Sequence, residues 1–115
     1  MTDRELLEKA ARSGGYTLNG HTQDERKFCV GGAEWNPLTD DGDALRLFCA
    51  LPWLCIETSD LAATVCERGK PGEPSRVYLM WTEWLDKHNG DLAAATRRAI
   101  VRAAAAMADA QEGGA

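Results

Sequence analysis

The segment from Arg76 to Leu85 constrains the fold of this chain more than any other. Alternate residues of a strand point to opposite faces of a sheet, and here both sets are mostly apolar: Val77, Leu79, Trp81 and Leu85 on one face, and Tyr78, Met80 and Trp84 on the other. A strand that is apolar on both faces is typical of the centre of a sheet covered on each side. We therefore expect residues 76–85 to form a central strand between helices, with Val77, Leu79 and Met80 largely buried.

Three other segments have the apolar spacing of helices, at residues 3–12, 43–51 and 92–108. Thr39 or Asp40 is a natural N-cap for the second helix, and Pro52 ends it. Asn89-Gly90-Asp91 precedes the third helix, in which small residues recur at three- and four-residue steps. We expect Leu45, Phe48 and Ile100 to be largely buried.

Short apolar runs between turn residues predict the remaining strands, at residues 16–18, 28–30, 54–58 and 62–66. The resulting order is α-β-β-α-β-β-β-α. Tight turns between short strands favour a mostly antiparallel sheet, so the expected class is α+β, an α/β/α sandwich. A chain of 115 residues suits one domain, residues 1–115, with an ordered core of about 3–110 and a frayed tail at 111–115.

Charge and hydropathy argue against several classes of function. The net charge of −5 argues against a nucleic-acid partner, because phosphate contacts need clustered Lys and Arg. A membrane span needs an apolar run of about 18 residues, and no run in this sequence is that long. The start, Met-Thr-Asp-Arg-Glu, lacks the features of a secretory signal. We expect a cytoplasmic protein.

The four cysteines do not form a metal-binding pattern. They are Cys29, Cys49, Cys55 and Cys66, none of them in a C-x-x-C pair, and the chain has only two histidines. We expect buried, reduced, inert thiols and no bound metal or cofactor.

Nothing in the sequence forms a readable catalytic centre. No Gly-rich phosphate loop and no nucleophile motif occurs, and His21 and His88 fit solvated loop positions. The acids Asp40, Asp41 and Asp43 fit the positive start of a helix better than a calcium loop. We expect a protein that is not an enzyme.

Two groups of residues are candidates for binding. The first is the turn with Trp35, Asp40, Asp41 and Asp43, where an exposed ring beside carboxylates would contact a partner. Packing in or around the core is the favoured alternative for Trp35 and Trp53, because most tryptophans are highly buried. The second is Arg97, Arg98 and Arg102 on the last helix, which either face water or meet a small anion.

Part of the chain resembles a known group of proteins. The stretch Trp35-Asn36-Pro37-Leu38-Thr39-Asp40, the helix that follows and the alanine-rich residues 92–104 are similar to short phage and prophage proteins, the NinX-like group and the phage ABA sandwich domain. The resemblance covers roughly residues 35–108. It implies an α/β/α sandwich in an accessory protein of the host cytoplasm, and it brings no catalytic residues.

Two hypotheses of function follow. The favoured one is an accessory protein that binds a host protein, for example to inhibit a host defence. The alternative is a protein that binds or sequesters a small, nucleotide-type anion through the three arginines. An acidic patch at Trp35 favours the first, and a concave pocket holding an arginine favours the second. The oligomeric state stays open, with a homodimer among the alternatives.

Overall fold

Three helices and five strands make up the described part of the chain. The computed structural model describes residues 2–17, 28–30, 33–68 and 77–113. The helices are α1 (Asp3–Ser13), α2 (Asp41–Cys49) and α3 (Leu92–Gly113). The strands are β1 (Phe28–Val30), β2 (Ala33–Trp35), β3 (Leu54–Thr58), β4 (Ala62–Arg68) and β5 (Val77–Trp84), and a 3-10 turn at Leu85–His88 follows β5.

The strands form two antiparallel sheets. β1 pairs with β2, and β3, β4 and β5 form a three-stranded sheet in that order. The α+β class and the order α-β-β-α-β-β-β-α are confirmed. The hairpin of β3 and β4 also matches its prediction, with Ser59 at the turn accepting the amide protons of Leu61 and Ala62.

Side-chain caps fix where α2 and α3 begin. The carboxylate of Asp40 accepts the Asp43 amide at 2.9 Å, and that of Asp91 accepts the Ala94 amide at 3.1 Å. Each bond satisfies an amide that has no partner inside its helix. Both predicted starts are therefore confirmed, whereas α3 runs on to Gly113, into the segment expected to be tail.

The first two strands differ in part from the prediction. Tyr16 and Thr17 lie outside any strand, and residue 18 lies outside the described residues. The partner of β1 is instead β2, which was not among the predicted strands and whose last residue, Trp35, was expected in a turn. Two glycines separate β1 from β2, and a Gly-Gly pair between short apolar runs is a hairpin signal.

The prediction that residues 76–85 form the central strand is wrong. β4 is central and β5 lies at one side of β3–β4–β5. Leu79 and Trp84 are exposed and Met80 is 60% exposed, so the expected burial of Leu79 and Met80 is wrong as well. The side chain of Val77 lies outside the described residues. β4 can occupy the centre because its small residues, such as Ala63 and Val65, fit closely beneath a helix.

α3 organises the core. It packs against α1, α2, β4 and β5, and its buried residues include Ile100, as predicted. Ile56, Val65 and Trp81 lie side by side across the sheet and belong to or pack against the same apolar cluster. Phe48 is half-buried against this cluster. Leu45 is 61% exposed, which contradicts its expected burial.

The cysteines also differ from expectation. Cys66 is buried, Cys29 and Cys55 are half-buried, and Cys49 is exposed, so the prediction of uniform burial is wrong. All four lie in the described residues, where no disulfide joins them. In the same residues, no helix combines the length and the apolar character that crossing a bilayer requires.

Candidate functional site: two grooves beside α3

α3 separates two grooves, and the three candidate arginines are divided between them. Arg97 borders the first groove, whereas Arg98 and Arg102 line the second. Residues four apart lie on one face of a helix, and a neighbour in sequence is turned by about 100°. The three arginines therefore do not share one face, and each of them donates a hydrogen bond to an oxygen atom of a residue outside α3.

The first groove, here the apolar groove, lies between α2, β3 and α3. It has a volume of about 450 Å³. The surface of its walls is almost entirely apolar, and both leucines that line it, Leu45 of α2 and Leu92 of α3, are exposed. The lining residues are Asp41, Ala44, Leu45, Ile56, Leu92, Ala93, Thr96, Arg97 and Ile100.

A charged pair, Arg97 and Asp41, is among the lining residues of the apolar groove. Arg97 donates from Nε to the carbonyl oxygen of Leu38 at 2.9 Å and from Nη1 to Oδ1 of Asp41 at 2.6 Å. The Arg97 side chain is mostly buried, while Asp41 is largely exposed. Asp40 is also exposed beside it, so the negative charge here is more accessible than the positive charge.

The turn before α2 was predicted to expose a ring and carboxylates to a partner, but two of these four side chains are buried. Trp35 is only 4% exposed and packs against Tyr16, with the ring centroids 5.4 Å apart. Asp43 is buried, accepting the Asn36 amide at 2.9 Å and Arg46 Nη2 at 2.7 Å. Of the four candidate residues, the structure thus presents only Asp40 and Asp41 to solvent.

The second groove, here the charged groove, lies between α1, β5 and α3 and has a volume of about 410 Å³. Arginines of α3 and an acid of β5 meet there beside the half-buried ring of Trp81. Its lining residues are Leu6, Trp81, Glu83, Arg98, Arg102, Ala105, Ala106 and Asp109.

Glu83 is the centre of the ionic contacts in the charged groove. Oε1 of Glu83 accepts His88 Nε2 at 2.8 Å and lies 3.8 Å from Arg98 Nε, and Oε2 accepts Arg102 Nη1. Arg102 also donates to the carbonyl oxygen of Thr82 at 3.1 Å. Burial by itself would raise the pKa of Glu83, but the bonds from His88 and Arg102 outweigh it and lower that pKa.

These contacts correct the interpretation of His88 as a solvated loop residue. His88 is mostly buried and held by Glu83, whereas His21 lies outside the described residues. Glu83 was not among the candidate residues predicted from the sequence. Its signal was present, because an acid in an otherwise apolar strand requires a partner when it is buried. The carboxylate is occupied by its neighbours, so the arrangement suits binding and charge pairing better than proton transfer.

The described residues hold no group of three or more His, Cys, Asp or Glu side chains that could bind a metal ion. Comparison with protein-family models, with curated proteins and with solved structures finds no match to this chain.

Proposed function

We propose that this chain is a non-enzymatic, cytoplasmic binding protein that contacts a partner protein through its apolar groove. On the resemblance of residues 35–108 to phage accessory proteins, the partner we propose is a host protein, and inhibition of a host defence is the role proposed for the contact. The observation that supports this proposal is the pair of exposed leucines, Leu45 and Leu92, on the walls of a concave apolar surface.

A partner that covers the exposed leucines removes their apolar surface from water, and this burial stabilises the complex. Burying apolar surface contributes about 25 cal/mol per Å². A groove between two helices and a strand fits an apolar side chain from a helix or an extended segment of a partner. Its walls belong to regular elements, so little conformational entropy is lost on binding.

The acids beside the apolar groove indicate the charge of the partner segment. Asp40 and Asp41 carry two negative charges at the start of α2, against one positive charge on Arg97. The whole chain has a net charge of −5. The segment that fits therefore combines an apolar anchor with a Lys or Arg, and attraction between these charges speeds association.

Replacing Leu45 by Ala is expected to weaken partner binding about tenfold, which corresponds to about 1.4 kcal/mol of binding free energy. The partner is obtained by affinity capture on the tagged protein from host lysate and identified by mass spectrometry. Its dissociation constant is then measured by calorimetry. Asp41→Asn should mainly reduce the association rate, most visibly at low salt.

Leu61→Ala is the matched control for Leu45→Ala. Leu61 is 66% exposed at the turn between β3 and β4, and it does not line the apolar groove. This variant should bind as the unchanged protein does. A partner that is retained equally by both variants binds elsewhere, and this result would contradict the proposal.

A specific observation supports the alternative function as a second proposal. Arg98 and Arg102 line the charged groove together with Trp81, which is the concave arginine pocket that a small-anion binder requires. Both guanidinium groups are held by carboxylates, which fixes them in place before a ligand arrives. The ring of Trp81 adds a surface on which a planar base can stack.

Arg98→Gln should weaken the binding of a nucleoside monophosphate by about tenfold, because a charge-assisted bond is lost. Isothermal calorimetry with the monophosphate and with the uncharged nucleoside measures this effect. Arg97→Gln removes an equal charge from the other side of α3 and should leave the affinity unchanged. Equal heats for the monophosphate with all three proteins would rule out the charged groove.

A further inference from the structure

Two cysteines lie directly opposite each other on neighbouring strands. In the antiparallel pairing of β3 with β4, Cys55 is the partner of Cys66. Opposed residues of such a pair have Cα atoms about 4.5–5.5 Å apart, and disulfides join residues whose Cα atoms are about 4.4–6.8 Å apart. The register therefore already provides the spacing that a disulfide needs.

The two thiols share the sheet face that points away from α3. Val65, next to Cys66, packs into the core with Ile56, and neighbouring residues of a strand point to opposite faces. Met80 is the next residue across the sheet from Cys66 and is exposed. Cys55 is half-buried, whereas Cys66 is 3% exposed, so a reagent in solution reaches Cys55 first.

We propose that Cys55 and Cys66 are a modification site, a thiol pair that a small-molecule disulfide such as oxidised glutathione converts into an intrachain disulfide. The Cys55 thiolate attacks one sulfur of the small disulfide, which breaks its S–S bond and releases one thiol. The Cys66 thiolate then attacks the sulfur of Cys55 and displaces the second thiol. Two protein thiols are oxidised, the small disulfide is reduced to two thiols, and these take up the two protons.

The link would hold β3 to β4. It closes the segment between residues 55 and 66 in the unfolded chain, which lowers the entropy of that state. The midpoint of thermal unfolding is expected to rise by roughly 10 °C when the pair is linked.

The test uses the folded, full-length Cys49→Ser protein, which removes an exposed thiol of the same proteolytic fragment. The protein is incubated with oxidised glutathione, alkylated, and cleaved without reductant after its arginine and glutamate residues, among them Arg46, Glu57 and Glu67. Mass spectrometry should then find residues 47–57 and 58–67 joined, with two hydrogen atoms lost and no glutathione retained. The unchanged protein should give the same link.

Two variants identify the order of the steps. In Cys66→Ser the thiol that would displace glutathione is missing, so glutathione should stay bound to Cys55. In Cys55→Ser the joined fragments should be absent. The proposal is overturned if the folded Cys49→Ser protein gives no joined fragments, or gives them only after unfolding in urea.

Discussion

Replacing Leu47 by Ala is expected to lower the free energy of unfolding by about 3 kcal/mol, the range typical of a fully buried leucine. Leu47 lies on α2, is fully buried and belongs to the main apolar cluster. It also meets the end of α1, since a Cβ at Gly14 would lie 2.8 Å from its Cδ1. The shorter side chain leaves a cavity where α1 and α2 meet, and rigid helices cannot collapse fully around it.

Urea denaturation followed by tryptophan fluorescence measures this loss. Leu45→Ala, two residues earlier on the same helix, is the matched control, because Leu45 is exposed and its truncation should change stability by less than about 0.5 kcal/mol. The two variants thus separate the two sides of α2, one that holds the fold and one proposed to bind. Equal losses for both would mean that α2 is packed differently from the structure.

The local signals in the sequence predicted the element order because they depend on neighbouring residues. Asp40 and Asp91 cap their helices through bonds to amides three residues ahead, and such bonds can be inferred from sequence alone. The hairpin of β3 and β4 follows in the same way from two short apolar runs around a turn.

The sheet order could not be predicted in this way. The apolar pattern of β5 shows that both of its faces suit apolar surroundings, but it does not show which strand pairs on each side. The structure leaves Met80 and Trp84 exposed and gives the central place to β4, whose buried residues include the small Ala63 and Val65. Close packing beneath α3 requires small side chains on the central strand, and this requirement arises only when the helix and the sheet pack together.

The arrangement of the candidate arginines could be predicted only in part. The sequence grouped Arg97, Arg98 and Arg102 as one possible anion-binding set, whereas only Arg98 and Arg102 line the charged groove, because residues four apart share a helix face. The separation of Arg97 depends on Leu38 and Asp41, which lie far from it in sequence. Glu83 and His88 were missed for a related reason, since their contact forms only when the 3-10 turn folds back on β5.

Replacing Glu83 by Gln is expected to lower the free energy of unfolding at pH 7 by about 2 kcal/mol, because charge-assisted bonds to His88 and Arg102 are lost. The side chain of Glu83 is 12% exposed, so water replaces those bonds poorly. Glutamine keeps the shape and removes the charge that Arg102 and the nearby Arg98 face. The cost is then electrostatic and not a cavity.

The pH dependence of the same variant tests the cause. The pKa of Glu83 is lowered from the usual 4.5, so its folded pKa lies below its unfolded pKa. Stability from the ionised carboxylate is complete above the unfolded value and is lost as the pH falls through the folded value. The difference in unfolding free energy between the unchanged protein and Glu83→Gln should therefore be largest near neutral pH and shrink below about pH 4.5.

Urea denaturation between pH 3 and pH 7, conditions chosen to bracket the usual range of a glutamate, measures this difference. Glu57→Gln, at an exposed position of β3, should change stability by less than about 0.5 kcal/mol at every pH. Parallel pH profiles for the unchanged protein and Glu83→Gln would show that the ionic contacts around Glu83 do not stabilise the fold.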